Sequence, residues 1–335
     1  MQFFARSRKS RNYAEAYKWY AAQVIPKIDP REIGFAFHGA GAEIAEKGNF
    51  WMETIKDMVM NITLWLEERL LQVVDFFYAY LSQPIPDKEL LKQCKIVSHR
   101  GEHDNKTVFE NTIAAFDRVK EAGVWGIEFD IRWTKDLQPV VFHDRNLQRV
   151  FKSDVEVNKV TLSELKEHCN LIPSLSEVIQ KYSKTLHLMV EIKEEKYPDL
   201  VYQNNVLKDL FSQLTPQVDF HFISLRPEMF MLINFVPSST FLPSARFNVK
   251  RLSNLALWKN YRGVAGHYFL ITDTILKKHH KQKQLVGTGF IGSKNCLSRE
   301  LNRSVEWIFS NNAVELQNIR NSLLKPKLPA VTGNQ

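Results

Sequence analysis

The segment that decides the fold runs from Lys95 to Asp144. It opens as Lys95-Ile96-Val97-Ser98-His99-Arg100-Gly101, continues through Gly126-Ile127-Glu128-Phe129-Asp130 and closes as Val140-Val141-Phe142-His143-Asp144. Each stretch contains a short β-branched or apolar run that is typical of a strand. Each also carries a group that can bind a metal ion or transfer a proton. The segment therefore predicts neighbouring strands that bring polar side chains together.

Glu128 and Asp130 lie two residues apart in one of these runs, so their side chains are expected on the same face of the strand. Two carboxylates that converge there repel each other unless a cation lies between them. His99 and His143 stand at the ends of neighbouring apolar runs, where a closed parallel barrel places its catalytic groups. The segment therefore predicts one half of a catalytic site.

These motifs resemble the glycerophosphodiester phosphodiesterase family, whose fold is a phospholipase C-like phosphodiesterase barrel. The resemblance rests on six motifs in this order: His99-Arg100-Gly101, Glu110-Asn111-Thr112, Ile127-Glu128-Phe129-Asp130, Thr134-Lys135-Asp136, His143-Asp144 and Val190-Glu191-Ile192-Lys193. The matching region covers residues 92–324. It implies an α/β fold, a (β/α)8 TIM-type barrel, preceded here by a helical extension that resembles no known family.

The alternation of strand and helix from Lys92 onward also favours a (β/α) barrel over a sandwich or a bundle. Nine strands are predicted: 95–98, 126–134, 139–142, 186–192, 219–225, 240–247, 264–271, 285–291 and 305–309. A barrel has eight places, and Pro139–Phe142 follows Thr134 after a very short turn. Which of these two strands is an ordinary parallel member stays open. Predicted helices include Arg226–Val236, Thr272–Lys281 and Ala313–Leu324, and Asn111 or Thr112 is expected to cap an earlier one.

In the family that the motifs resemble, the positions of Glu128, Asp130 and Glu191 hold a metal ion. Three carboxylates form an all-oxygen site, which suits one divalent cation such as Mg²⁺ or Ca²⁺. The resemblance makes His99 and His143 the catalytic acid and base, without deciding which is which. Arg100 and Lys193 are expected to bind the phosphate oxygens of the substrate, or alternatively to pair with the carboxylates.

The resemblance implies a phosphoric diester hydrolase that converts glycerophosphodiesters to glycerol 3-phosphate and an alcohol. The sequence departs from the family at Gly289-Phe290-Ile291-Gly292-Ser293, where Trp-Thr-x-Asn is common, and at Phe309-Ser310-Asn311, where Thr-Asp is common. A more open mouth, lined by Phe290, Phe222 and Tyr268, is a hypothesis for a lysophospholipid substrate and lysophospholipase D-like activity. A different alternative is a scaffold subunit that retains the barrel within a larger assembly, such as a membrane-bound one.

The predicted domains are a helical extension over residues 1–92, the barrel over residues 93–325 and a tail over residues 326–335. Within the extension, Tyr13–Ile25 reads as a short helix, and residues 34–48 as a loop or small-residue helix. Phe50–Leu81 is predicted as one amphipathic helix, because its charges make a bilayer span costly. It is expected to pack on the barrel or on a copy of itself, or alternatively to bind a membrane or a protein partner.

The 335 residues include 45 Lys or Arg and 37 Asp or Glu, giving a net charge of +8. The excess lies between Ser244 and Arg303, which favours phosphate esters or an acidic membrane as partners, or forms a solvated basic face. A nucleic-acid partner is not expected, since no binding module accompanies these residues. Three widely spaced cysteines indicate a reducing, intracellular compartment. The basic start also suits a mitochondrial or other organellar transit segment.

Overall fold

The structure, a computed structural model, describes residues 69–325. Contacts divide the chain into two units, Met1–Arg69 and Leu70–Gln335. The elements predicted at residues 13–25, 34–48 and 50–68 lie outside the described residues, as does the tail at residues 326–335. Residues 69–80 are helical, as expected for the end of the amphipathic segment. Within the described part of the chain, no helix has the length and apolar character needed to cross a membrane.

Nine strands form one sheet that closes on itself. They are β1 Lys95–His99, β2 Gly126–Trp133, β3 Pro139–Val141, β4 His187–Ile192, β5 Phe220–Ser224, β6 Phe241–Ala245, β7 Gly263–His267, β8 Leu285–Gly289 and β9 Trp307–Ser310. Their order is β1-β9-β8-β7-β6-β5-β4-β2-β3, and β1 also pairs with β2. Eight of the strands therefore make a closed parallel barrel with helices between them, which confirms the predicted (β/α)8 fold.

The ninth strand, β3, is the irregular member of the pair that the sequence left open. It runs antiparallel to β2, with Ile131 opposite Val141 and Trp133 opposite Pro139. The short connection between the two strands permits only this hairpin, because a parallel return needs a crossover of a dozen or more residues. Phe142 leaves this hairpin with its amide donating to the carbonyl of Asp130 (3.0 Å). The hairpin thereby brings His143 to the end of β2.

The helices surround the barrel. Beyond residues 69–80 they are Lys88–Gln93, Ile113–Glu121, Gln148–Phe151, Leu162–His168, Leu175–Tyr182, Leu200–Leu210, Val249–Trp258, Asp273–Lys281, Lys294–Asn302 and Ala313–Leu324. Short 3-10 turns occur at Val157–Lys159, Pro227–Leu232 and Ser238–Thr240. Thr112 accepts a hydrogen bond from the Ala115 amide, so Thr112, and not Asn111, is the cap of its helix. The two later helices that begin at Leu162 and Leu175 each start with a complete capping box.

The helix predicted at Arg226–Val236 is wrong. The structure has a 3-10 turn at Pro227–Leu232, which ends where Ile233 adopts an extended backbone. Met229, Phe230 and Ile233 are all buried against the outside of the barrel. The apolar spacing that resembles a helix therefore comes from a loop that anchors itself on the core.

Two of the three apolar clusters among the described residues form the main layers of the barrel. The lumen of the barrel is packed by Val97, Met189, Ile223, Leu242, Ala265, Trp307 and Phe309. The larger layer lies between the strands and the surrounding helices. Phe222 and Tyr268 belong to this outer layer and are fully buried, so the prediction that they line the mouth is wrong. Successive side chains along a strand point to opposite faces of the sheet. Ile223 faces the lumen, so the preceding residue, Phe222, faces the surrounding helices.

Candidate active site

The predicted acidic residues converge at the carboxyl-terminal end of the barrel. The strand register places His99 of β1 beside Glu128 of β2, and Asp130 of β2 beside Glu191 of β4. Each of Glu128, Asp130 and Glu191 contributes a carboxylate oxygen to a cluster whose atoms all lie within 4.8 Å of one another. Below the cluster, the lumen side chains close the barrel. Among the described residues, the lumen on the side away from the mouth is therefore filled by apolar side chains.

The loop after β1 depends on an unusual backbone turn. Arg100 and Gly101 both have positive φ angles, +60° and +82°. A Cβ atom on Gly101 would lie 2.7 Å from the Cβ of Ala115, so a larger residue would both strain the backbone and clash with the following helix. The Arg100 amide donates to the Glu128 carbonyl (2.8 Å), and the Asn111 amide donates to the Arg100 carbonyl (2.9 Å). This turn fixes Arg100 against the acidic cluster.

Arg100 and Lys193 partly neutralise the carboxylates. Lys193 Nζ lies 2.7 Å from Asp130 Oδ1 and 2.8 Å from Glu191 Oε1, and Arg100 Nε lies 3.3 Å from Asp130 Oδ2. Burial alone would raise the pKa of Asp130, but the charges of Lys193 and Arg100 outweigh it and hold that pKa below its usual range. Both bases thus adopt the carboxylate pairing that the sequence left as the alternative to phosphate binding.

Glu128 is the carboxylate that remains uncompensated. Its Oε2 atom is buried without a hydrogen-bond partner, and His99 Nε2 lies 3.8 Å away. Burial, followed by repulsion from Asp130 and Glu191, raises the pKa of Glu128 well above its usual value. The neighbouring Asn111 Oδ1 is also buried without a partner. Buried oxygen atoms that lack a partner beside a surplus of negative charge fit a hard divalent cation.

The two histidines have different partners. His99 Nδ1 lies 2.7 Å from Asn311 Oδ1, whereas His143 Nδ1 lies 2.5 Å from Asp144 Oδ1. Burial, assisted by the positive charge of Arg100, lowers the pKa of His99 to about 3. Each contact involves Nδ1 and leaves Nε2 available at the mouth, where both side chains keep some exposure. One histidine is therefore held by a neutral amide and the other by a carboxylate.

An ion-pair network around Glu110 supports this arrangement and was missed by sequence reasoning. Glu110 accepts from Arg100 Nη1 (3.0 Å), from both terminal nitrogens of Arg149 (2.6 and 2.8 Å) and from Asn105 Nδ2 (2.8 Å). Arg149 Nε also donates to Asp144 Oδ2 (2.7 Å). Burial opposes ionisation of Glu110, but hydrogen bonds from Arg149 and the charge of Arg100 lower its pKa to about 2. Glu110 and Arg149 thus link Arg100 to the partner of His143.

Asn111 and Asn311 were also missed as site residues. Asn111 Nδ2 donates to Asp130 Oδ2 (2.8 Å), so this residue orients a carboxylate of the cluster. Its place within the Glu110-Asn111-Thr112 motif was the available signal. Asn311 was noticed only as a departure from Thr-Asp, and no local pattern connects it with His99, because the two are 212 residues apart.

Phe290 lies at the mouth, next to His99. Its ring centroid is 4.9 Å from that of the imidazole, and 44 % of the residue is exposed. It follows β8, whose last residue Gly289 is paired with His267 of β7. Of the three aromatic residues predicted to line the mouth, Phe290 is the one that the structure places there.

Comparison with known proteins agrees with this geometry. Residues 99–219 match the sequence profile of the Glycerophosphoryl diester phosphodiesterase family. A glycerophosphodiester phosphodiesterase of Caldanaerobacter subterraneus is 46 % identical over 72 residues, which cover 22 % of this chain and 29 % of the relative. The lysophospholipase D of Homo sapiens is 35 % identical over 117 residues, which cover 35 % of this chain and 32 % of the relative. The chain thus spans less than a third of either protein.

A solved structure of similar fold is the Oleispira antarctica phosphodiesterase in complex with the product sn-glycerol-3-phosphate. It superposes with a TM-score of 0.56 at 19 % identity, covering 68 % of this chain and 96 % of the other. At that identity the likeness concerns the fold. The profile match, by contrast, includes both histidines and all three carboxylates. The similarity to the Glycerophosphoryl diester phosphodiesterase family is thus carried by residues 99–219, the part of the chain that contains these five side chains.

Proposed function

We propose that this protein is a metal-dependent phosphodiesterase that hydrolyses glycerophosphodiesters to glycerol 3-phosphate and an alcohol. The observation that carries the proposal is the meeting of three carboxylates and two differently partnered histidines at one barrel mouth. The relatives named above support the reaction class, and the product bound to the Oleispira enzyme supports glycerol 3-phosphate as the product.

Glu128, Asp130 and Glu191 would hold one divalent cation, Mg²⁺ or Ca²⁺. When bound, such an ion supplies positive charge that polarises a phosphoryl oxygen and offsets the charge developing in the transition state. Release of Arg100 and Lys193 from the carboxylates would then leave both free to bind the other non-bridging oxygens. Arg100 and Lys193 would thus pair with the carboxylates before the cation binds and with phosphate oxygens afterwards.

The different partners of the histidines support different roles for them. His99 is neutral at pH 7, since its pKa lies far below that value, and it can accept a proton at Nε2 from the hydroxyl or water that attacks phosphorus. The contact of His143 Nδ1 with the Asp144 carboxylate fixes one tautomer and stabilises an imidazolium. His143 then gives its Nε2 proton to the departing alcohol oxygen as the phosphorus–oxygen bond breaks.

The test uses the purified full chain and a panel of glycerophosphodiesters, assayed for glycerol 3-phosphate after chelation and after addition of Mg²⁺ or Ca²⁺. We expect turnover that chelation abolishes and one of the two cations restores. His99→Ala and His143→Ala should fold normally. Their kcat should be lower than that of the wild type by a factor of about 10²–10⁴, the usual contribution of a general acid or base. Metal-independent turnover, or turnover in both variants, would overturn the proposal. Absence of turnover on the whole panel would favour the scaffold alternative.

A lysophospholipid is the second candidate substrate. It is favoured by the exposed ring of Phe290 beside His99, an apolar surface that a small deacylated diester does not need. The similarity to a protein named lysophospholipase D points in the same direction. Release of choline from lysophosphatidylcholine by the wild type, with a raised KM in Phe290→Ser, would support this substrate. Choline release only from glycerophosphocholine would exclude it.

A further inference from the structure

The helix over residues 69–80 is attached to the barrel by one face. Asp75 Oδ1 lies 3.4 Å from His267 Nε2, and Asn295 Nδ2 donates to the Ala79 carbonyl (2.7 Å). The Tyr78 ring packs edge-on against Tyr268, with centroids 5.6 Å apart. His267 ends β7, so these contacts hold the helix at the carboxyl-terminal end of the barrel, beside the mouth.

The opposite face of this helix is apolar and exposed. It carries Val73, Phe76, Phe77 and Tyr80, which are 67 %, 67 %, 61 % and 75 % exposed. The spacing of three and four residues places these side chains on one stripe. Asp75, which is directed to His267, is the sole Asp, Glu, Lys or Arg between Leu70 and Pro86. The four stripe side chains therefore offer hydrocarbon and aromatic surface, and Arg69, one turn before Val73, is the charged residue at the start of this side of the helix.

Aromatic contacts connect the stripe with the candidate active site. Tyr78 packs against Phe77 and against Phe269, with centroids 6.1 and 6.3 Å apart. Phe269 follows β7 and is 37 % exposed. The Tyr268 amide, one residue earlier, donates to the Gly289 carbonyl (2.8 Å), which directly precedes Phe290. Since the Phe290 ring contacts His99, ring contacts and this one backbone hydrogen bond together connect the exposed stripe with the site.

We propose that Val73, Phe76, Phe77, Tyr80 and Phe269 form a docking surface for a lipid–water interface of zwitterionic lipids. Aromatic side chains on an amphipathic helix insert at the boundary between headgroups and acyl chains. The absence of charge on the stripe matches a zwitterionic surface, and attraction to anionic lipid is not required. Docking there would place the mouth against the interface from which an amphiphilic phosphodiester is drawn.

A second copy of this chain fits the same surface less well. A partner seated on the stripe would also stand against Phe269 and Phe290, at the mouth through which a substrate must pass. The lipid proposal rests on the proposed function, because it identifies the source of the substrate for that site. Binding to lipid can nevertheless be measured without turnover, so the two proposals can fail separately.

The first experiment measures binding of the full chain to vesicles of phosphatidylcholine alone, by flotation, in low and high salt. The test variant is Phe76→Ser with Phe77→Ser. The matched control is Val201→Ser with Tyr202→Ser, which removes exposed apolar side chains from the helix Leu200–Leu210 on the flank of the barrel. We expect salt-independent binding that falls by about tenfold or more in the test variant, since burying an aromatic side chain contributes at least one factor of ten. The control should bind like the wild type.

The second experiment compares substrates. Turnover of soluble glycerophosphocholine should be unchanged in the test variant, whereas turnover of lysophosphatidylcholine above its aggregation threshold should fall with vesicle binding. Equal vesicle binding by wild type and test variant would overturn the docking proposal. The docking proposal would also be overturned if the protein bound anionic vesicles but not phosphatidylcholine vesicles. It would likewise be overturned if the wild type formed a dimer that is absent in the test variant. Normal vesicle binding without turnover of any diester would instead overturn the proposed function alone.

Discussion

His99 and Asn311 are joined by a 2.7 Å contact between the imidazole Nδ1 and the amide Oδ1. An amide oxygen only accepts hydrogen bonds, so Nδ1 carries the hydrogen and Nε2 keeps its lone pair. His143 has a carboxylate, Asp144, in the corresponding place. In the proposed mechanism, the contrast between a neutral and a charged partner is what distinguishes the proton acceptor from the proton donor.

Substitution of Asn311 is expected to change catalysis through His99. Asn311→Ala removes the contact that orients the imidazole and should lower kcat by about 10–100-fold, part of the contribution of a general base, with little change in KM. Asn311→Asp keeps the contact and adds a negative charge, which should raise the pKa of His99 and move the acidic limb of the pH–rate profile toward neutral pH. Steady-state kinetics from pH 4 to 9 provide the measurement. An unmoved limb in Asn311→Asp would contradict the assignment of His99 as the base.

Substitution of Asp144 tests the other histidine. Asp144→Asn allows the amide to turn its NH₂ group toward His143 and removes the charge that stabilises an imidazolium, so kcat should fall by about 10²–10⁴-fold. The loss should be smallest for substrates whose leaving alcohol is acidic, such as nitrophenol, because that group needs no proton. A matched control is Asp136→Asn, whose carboxylate accepts from Thr134 Oγ1 and the Leu162 amide. Equal losses for alkyl and nitrophenyl esters would argue against His143 as the acid.

The raised pKa of Glu128 predicts an unusual pH dependence of stability. The folded protein without metal binds a proton at Glu128 that the unfolded chain releases near its ordinary pKa of 4.5. The contribution of Glu128 to folded stability should therefore be greatest below that value and decline as the pH rises toward the raised pKa of Glu128. A divalent cation should offset the decline, because it binds the ionised carboxylates of the folded state only.

Glu128→Gln provides the comparison for this prediction. The substitution removes the titrating carboxyl group, so the metal-free variant should lose less stability than the wild type as the pH rises from 4.5 toward the raised pKa of Glu128. The variant should also show little increase in Tm with Mg²⁺ or Ca²⁺. Urea unfolding at several pH values, with chelator or with cation, measures both effects. The same pH slope in the variant and the wild type would show that Glu128 is not the group responsible.

His279 predicts a loss of stability in acid. It is fully buried, with Nε2 2.9 Å from Ser253 Oγ and Nδ1 2.7 Å from Gln284 Oε1. Burial lowers the pKa of His279 to about 4. As the pH falls below about 6.5, the unfolded chain therefore binds a proton at this residue, whereas the folded chain does not. The corresponding loss of unfolding free energy is about 3 kcal/mol between these two values. His279→Gln should reduce the difference in urea stability between pH 7.5 and pH 4, whatever its effect at neutral pH.

The sequence alone determined the barrel and the positions of the candidate catalytic residues along its strands. Strand periodicity and capping residues are local, and they were enough to locate β1 to β9 and several helices, among them Asp273–Lys281 and Ala313–Leu324. A helix was wrongly predicted over Arg226–Val236, because the loop that packs on the core there has the same apolar spacing as a helix. Glu128 and Asp130 could be assigned to one face because alternation along a strand is fixed by the backbone.

Only the tertiary structure decided which groups complete the site. Asn311, Arg149 and Glu110 act on His99, Asp144 and Arg100 through contacts made when strand ends and loops distant in sequence are brought together. Likewise, Phe222 and Phe290 are equally apolar in the sequence, and closure of the barrel buries the first and exposes the second. Local patterns report the direction of a side chain relative to its own strand, whereas its neighbours depend on the register and closure of the whole sheet.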